Sequence, residues 1–517
     1  MAAAEMKLDR WGYQVRTSSD ACISAINDYY HQVLSYERKR SVILEAPKSD
    51  PECVLGNILA AHFLCSADPS HAPEFIDAAK SHLECASTYE KAVFEVVQYI
   101  ISSDRDDDLV VQQHSKLLQD FPRDLVSLKR VQVQCFYMGR LDLFLGIVEQ
   151  FGFTQQIRVT YNQQVLPVND HEDYIYGMLA FTLLELGQME DAEKAGKKGY
   201  ELNKDDAWSQ HALCHVYQYE CRFKEAVEFM MNCAQSWGSL SSFMYNYLIR
   251  YTHNWWHIAL CYLEGHAPIT KVEDIYNEHI WKELERSDAT PVEVYLNAAG
   301  LLLRLYVRGV HDILKDRLNE LANCLTDQLS SIPALIVLRY TQAFWFLEWH
   351  LDILILWTLS CTGRFNKAEE LLKGLNSRVS MMNRKKQQQM QTGLDVRFLF
   401  RDEIKSERNL AEALYRYGKG DYKKAVELLG HDFDAINYKV IGASDEQLDV
   451  FTEVHITLLL ETGEVSAAKE AIEKQLKRRE GAPFLWSLLE KACLILGMEE
   501  AASYGQKAKE LEAAYFT

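Results

Sequence analysis

The sequence predicts an all-α fold, a superhelical α-solenoid built from irregular helix–turn–helix repeats. Three observations predict it. Apolar residues recur at helical steps, as at Tyr174, Met178, Phe181 and Leu184, the spacing that lines one face of an α-helix. Strand signals are sparse: β-branched runs do not return at even spacing between turn residues, as they would in a sandwich or barrel. One short unit, a turn residue followed five positions later by alanine, returns as Gly187/Ala192, Cys221/Ala226, Gly363/Ala368, Gly420/Ala425, Gly463/Ala468 and Gly497/Ala502.

Gly187 to Cys221 and Ala468 to Ala502 are each 34 residues, the period of the tetratricopeptide repeat. The residue types suit that unit. Glycine closes the first helix and permits the tight turn. The alanine sits where the two helices approach, and a larger side chain would push them apart. Offsets of 57 (Ala368 to Ala425) and 43 (Ala425 to Ala468) mark insertions or degenerate units, so the array is irregular.

Taken in chain order, residues 1–110 read as an N-terminal helical region. Within it, Asp104 to Asp108 form an acidic loop or helix start, read by default as a solvated turn. Residues 111–377 read as the central array. It opens with Leu117 to Pro122, where proline closes a helix, and continues to a turn at Gly139. Asp206 reads as the N-cap of a helix beginning at Ala207-Trp208. Segment 332–360 is the most apolar, but Arg339, Glu348, His350 and Asp352 interrupt it; it reads as a buried helix pair, not a membrane span. Residues 378–392, polar and glutamine-rich, read as a linker. Residues 393–517 read as C-terminal helical repeats.

Composition narrows the function classes. Charged residues are 25% and hydrophobic ones 48%, a globular rather than disordered balance. The formal net charge of −19 argues against nucleic acid as the partner, since such affinity comes largely from lysine and arginine. Arg384-Lys385-Lys386 and Lys477-Arg478-Arg479 read as solvated helix faces. The 12 cysteines include no Cys-x-x-Cys. Cys135, Cys214, Cys261 and Cys493 lie in apolar runs and read as buried free thiols of a reducing compartment. With no signal-peptide core after Met1 and no membrane span, a soluble cytoplasmic protein is expected.

The stretch Asp206-Ala207-Trp208-Ser209, with His211, His215, Phe229-Met230, Trp237, His253-Asn254, Trp256 to Leu260, Tyr276 and His279-Ile280, resembles the tetratricopeptide repeat protein 38 family. Supporting pieces are Asp50-Pro51 before Val54-Leu55-Gly56, Leu118 to Pro122, and Ile441 to Ser444 before Gln447 and Asp449-Val450-Phe451. The resemblance spans roughly the whole chain, and 206–280 is its specific centre. It implies an α-helical repeat protein and no particular reaction. The chain departs from the pattern twice: Gln218 stands where the resemblance implies an acid, and Leu448 where it implies an arginine.

Two His-x3-His pairs, His211/His215 and His253/His257, are the principal candidate site. Four residues apart on a helix is one face. The repeat register places both pairs on first helices of neighbouring repeats. Two chemistries are open: imidazoles chelating a divalent metal, or imidazoles satisfying buried polar groups among Trp208, Tyr217, Asn254, Trp255 and Trp256. His279 either completes the cluster or caps its helix. His-Glu-x-x-His, the P-loop, Gly-x-Gly-x-x-Gly and Gly-x-Ser-x-Gly are all absent, and no catalytic residue is assigned. The expected function is a protein- or peptide-binding scaffold whose concave groove carries Trp208, His211, His215, His253, Asn254, Trp256, His257 and His279, with no cofactor required. The alternative is a helical enzyme or ligand-binding protein that holds a divalent metal or small molecule at His211, His215, His253 and His257.

Overall fold

The computed structural model describes residues 5–102, 105–149, 165–239, 251–287, 289, 291–310, 314–330, 349–377 and 401–516. The fold is all-α, a succession of helix–turn–helix repeats of the tetratricopeptide type. Among the described residues one element is a sheet: a hairpin pairs Met6–Leu8 antiparallel with Gln14–Arg16, Lys7 opposite Val15. Strands of three residues are too short to show alternation, so the sequence gives no sign of them. Asp9 organises the turn. Its carboxylate accepts the Trp11 and Tyr13 N–H groups (3.0 and 2.9 Å) and the Tyr30 hydroxyl (3.2 Å).

The turns between repeat helices share one local geometry. Gly139, Gly187, Gly309, Gly363, Gly420, Gly463 and Gly497 have φ between 64° and 86°, and Cys221 adopts 59°. In each case the next N–H reaches back five residues, for example Gln188 to Leu183, Arg222 to Tyr217, Arg364 to Leu359 and Glu464 to Leu459, at 2.7–2.9 Å. That is the Schellman closure, which satisfies carbonyls left over at a helix end. Tyr36 and His266 take the same left-handed position with φ of 61° and 58°, where a glycine signal fails to mark the turn.

The repeat alanines Ala192, Ala226, Ala368, Ala425 and Ala468 are fully buried, as close helix approach requires. The sixth is not: Ala502 is exposed and Ala501 buried. The helix after Gly497 starts at Ala501, four positions on, whereas those after Gly187 and Gly463 start two positions on. The face therefore shifts, and the close approach falls at Gly505, whose missing Cβ would collide with the Glu490 carboxylate.

The chain divides into two compact units: Met1–Val216 with Met230–Tyr251, and Tyr217–Phe229 with Thr252–Thr517. The 378–392 linker of the sequence reading lies outside the described residues, as does the first half of the 332–360 segment. Its second half, Trp349–Cys361, is a helix buried from Trp349 to Ser360, with His350 and Asp352 included. In the first unit, the Glu90 carboxylate gathers three backbone N–H groups, those of Ser87, Arg16 and Leu55, at 3.0, 2.9 and 3.3 Å. One buried acid thereby ties a capping box, the hairpin and a helix start together. In the second unit the helices Tyr251–Glu264 and Pro291–Val307 are buried on nearly every face, which explains their lack of a polar stripe. Cys135, Cys214, Cys261 and Cys493 are buried and not joined in disulfides. No helix among the described residues is long and apolar enough to cross a membrane.

Candidate functional site

Each histidine pair has its own surroundings. In the first unit, Asp206 caps the Ala207–Tyr219 helix as the sequence predicts, accepting the N–H groups of Trp208 and Ser209 (3.1 and 3.0 Å). Burial pushes its carboxyl up to about 6. Trp208 is seated against Gly177, whose absent Cβ would lie 2.7 Å from the indole. It stacks on His211 at 5.2 Å between ring centres, 5° between planes. On its other contacts lie Phe181 (4.7 Å) and the Lys129 ammonium (4.1 Å), a cation–π arrangement. Lys129 also donates to Gln132 Oε1 at 2.8 Å, and Gln132 donates to the Met178 carbonyl at 2.8 Å. His211 Nε2 and His215 Nε2 lie 2.8 Å apart, so one ring donates and the other accepts. A Glu185 oxygen lies within 4.8 Å of a His215 ring nitrogen.

In the second unit, His253 and His257 occupy one edge of the Tyr251–Glu264 helix, ring centres 4.7 Å apart. His253 stacks on Trp256 at 5.1 Å. His253 Nδ1 meets Asn297 Oδ1, and His257 Nδ1 meets Gln218 Oε1, both at 2.9 Å. Asn297 Nδ2 donates to Thr252 Oγ1 (3.0 Å) and to the Glu293 carbonyl (3.2 Å), and the Thr252 hydroxyl donates to the Glu293 carboxylate. Gln218 is thus a partner of His257 at the position where the family resemblance implies an acid.

Trp208, His211, His215, His253, Asn254, Trp256 and His257 are all at most 3% exposed. The expected groove lining is therefore interior: these rings pack inside the protein, and a partner surface is not made of them as they stand. His279 goes elsewhere. It stacks on Trp255 at 3.5 Å, within the Tyr276–Ile280 π-helical turn, and partial burial lowers its pKa. Sequence reading missed His350 as a site residue. Its Nδ1 has no hydrogen-bond partner among the described residues, and burial, then the neighbouring His253 and Arg304, push its pKa down to about 3.

The second unit also carries a charged cleft. Arg304 is fully buried, 3.9 Å from Glu264 and 3.7 Å from Glu453, and donates to the Glu446 carbonyl. Arg308 pairs with Glu453 at 2.6 Å and lies 4.4 Å from the centre of the Phe484 ring. Arg479 joins Glu264 to Asp449, the latter at 3.0 Å. The cleft runs past Glu264, Arg308, Glu453 and Phe484. A neighbouring one, lined by Tyr219, Asp434, Asp445 and Arg478, shares Asp449, Thr452, Gln475 and Arg479 with it. Burial works against the Glu264 carboxylate, but Arg479, Arg308 and Arg304 outweigh it and hold the group below its usual range. Burial pushes Asp449 up to about 7 despite Arg479 and Arg304. Of the basic run 477–479, Lys477 and Arg478 are exposed as expected, but Arg479 is buried in ion pairs. Its carboxylate partners lie on other helices, beyond the reach of a local charge count.

No protein-family model matches the chain. Solved structures that align over most of its length include a human IFIT1 dimer with m7Gppp-AAAA, at 15% identity and a TM-score of 0.35, covering 96% of this chain and 91% of that one. Another is Naa15/Naa10 bound to HypK-THB, at 11% identity and a TM-score of 0.22, covering 95% of this chain and 67% of that one. At such low identity and superposition, what those proteins hold carries no argument about this chain's ligand.

Proposed function

We propose that the protein is a binding scaffold, and that its docking place for a partner polypeptide is the charged cleft of the second unit, which takes a basic segment with an apolar residue beside it. The observation that carries this reading is Asp449, a half-buried carboxylate common to both arms of the cleft. Glu264, Glu453, Asp434 and Asp445, each already ion-paired within the chain, add carboxylates along the cleft, and the half-exposed Phe484 supplies apolar surface. A chain of net charge −19 draws a cationic partner in and repels an acidic one. Membership of the tetratricopeptide repeat protein 38 family and a cytoplasmic location belong to the same proposal.

A cation beside Asp449 favours its ionised form, so binding is linked to proton loss near pH 7. The test is fluorescence anisotropy with a labelled peptide of alternating lysine and leucine, against its glutamate–leucine counterpart. The expected result is saturable binding of the lysine peptide alone, tightening as pH rises through 7, and tenfold or more weaker in Asp449→Asn. Equal binding of the acidic peptide, or an unchanged affinity in Asp449→Asn, overturns the reading.

A further inference from the structure

We propose that His253 and His257 of the second unit form a divalent transition-metal site, with Asn297 and Gln218 as the groups that orient them. The inference is independent of the cleft. Four features carry it.

The first is placement. The rings are four residues apart on one helix, buried, and their nitrogens lie within 4.8 Å of each other, as a chelating pair requires. The second is the tautomer. An amide oxygen only accepts, so the Nδ1 atoms facing Asn297 Oδ1 and Gln218 Oε1 carry the protons, and the Nε2 atoms carry the lone pairs. The orientation of Asn297 is fixed by its own bonds: its nitrogen faces the Glu293 carbonyl, which can only accept. The third is the relay behind His253. The Glu293 carboxylate accepts from Thr252, Thr252 accepts from Asn297, and Asn297 accepts from His253. Every donor in that line points toward the buried carboxylate. The imidazole therefore gains basicity at Nε2, the effect that such outer partners have on metal-bound histidines. The fourth is the buried acid. Glu293, 0% exposed, sets a carboxyl group in the interior three hydrogen bonds from the ring, whose ionised form a dication would favour.

Two imidazoles without a thiolate suit zinc, cobalt, nickel or copper rather than magnesium or calcium. The two nitrogens leave the remaining coordination positions for other donors.

The experiment uses the full chain, stripped with chelator, and the metals alone as probes. Cobalt(II) is titrated in and followed by its visible ligand-field absorption, then displaced with zinc. Zinc per chain is measured by elemental analysis. Wild type is expected to bind cobalt saturably, and His253→Gln/His257→Gln to lose it while keeping its far-UV dichroism. Asn297→Leu is expected to bind about 10–100-fold more weakly, the usual cost of losing such a partner. Gln218→Glu, which gives His257 a carboxylate in place of the amide, is expected to bind more tightly; this arm stands even where the double glutamine variant does not fold. Asp449→Asn is expected to bind metal as wild type does, which separates this site from the cleft. Failure of stripped wild type to bind either ion overturns the proposal. So does retention of metal by folded His253→Gln/His257→Gln, and so does a Gln218→Glu affinity no tighter than that of wild type. Loss confined to a His211→Gln/His215→Gln control also overturns it, by moving the site to the first unit's pair.

Discussion

Glu264→Gln is the most demanding perturbation of the second unit. The side chain is 2% exposed and faces Arg479 and Arg304, themselves 8% and 0% exposed. Neutralising it leaves two buried guanidiniums short of a countercharge. Breaking a buried ion pair from one side costs about 3–5 kcal/mol, and that is the loss expected here. Arg479→Met in the same chain removes the stranded charge, so the double variant should recover most of it, because a well-packed apolar replacement of a buried pair is often close to neutral. Urea unfolding followed by tryptophan fluorescence measures all three. The pH dependence has a definite sign. The folded pKa of Glu264 lies below the ordinary 4.5 of a glutamate, so its stabilisation is complete above that value and disappears as pH falls through the folded pKa. A Glu264→Gln loss under about 1 kcal/mol would refute the reasoning, as would a double variant whose loss is the sum of the singles, because coupled partners are not additive.

Other consequences are testable in the same way. His266, exposed and left-handed at 58°, should gain roughly 0.5–1 kcal/mol on replacement by glycine, the backbone strain relieved less the added unfolded-state freedom; a loss in thermal or urea unfolding would contradict it. Ala468→Val should cost about 1–3 kcal/mol by overpacking, whereas Ala502→Val should change little, and equal costs would contradict the shifted register. His114 is buried, its Nδ1 donates to the Val110 carbonyl at 2.8 Å, and its Nε2 has no hydrogen-bond partner among the described residues. Burial pushes it down to about 3, so the stability linked to it is complete above pH 6.5 and is lost as pH falls from there toward 3. Between pH 6 and pH 5 wild type should therefore lose about 1 kcal/mol more than His114→Gln, and parallel curves would contradict this.

The repeat unit was legible because its chemistry is local. A left-handed turn favours glycine, and a close helix approach favours alanine, so Gly187/Ala192 and Gly463/Ala468 state both preferences within five residues. Where the turn residue is Tyr36 or His266, the same geometry leaves no mark. Ala502 misled because the alanine position counts from the helix start, and after Gly497 that start comes late. The His-x3-His pairs were equally readable, since four residues make a face. What faced them was not: Asn297 lies 44 residues from His253, and Gln218 lies 39 from His257. Nor could composition tell interior from groove, because tryptophan and histidine serve both. Arg479 makes the same point with charge, sitting in a basic run yet buried against Glu264.

The order of synthesis gives the Arg479–Glu264 pair a further meaning. Each Schellman turn is completed by residues five apart, so a helix can close almost as soon as it is made, with little loop entropy to overcome. Arg479 and Glu264 are 215 residues apart. The Tyr251–Glu264 helix therefore waits for this partner, its terminal carboxylate faced only by Arg304 and Arg308, while more than 200 further residues emerge. The second unit consequently cannot acquire its full cooperativity during elongation up to that point. The Arg479–Glu264 ion pair is a contact that only chains extended to Arg479 can make, and a chain truncated before Arg479 would leave the buried Glu264 carboxylate to Arg304 and Arg308 alone.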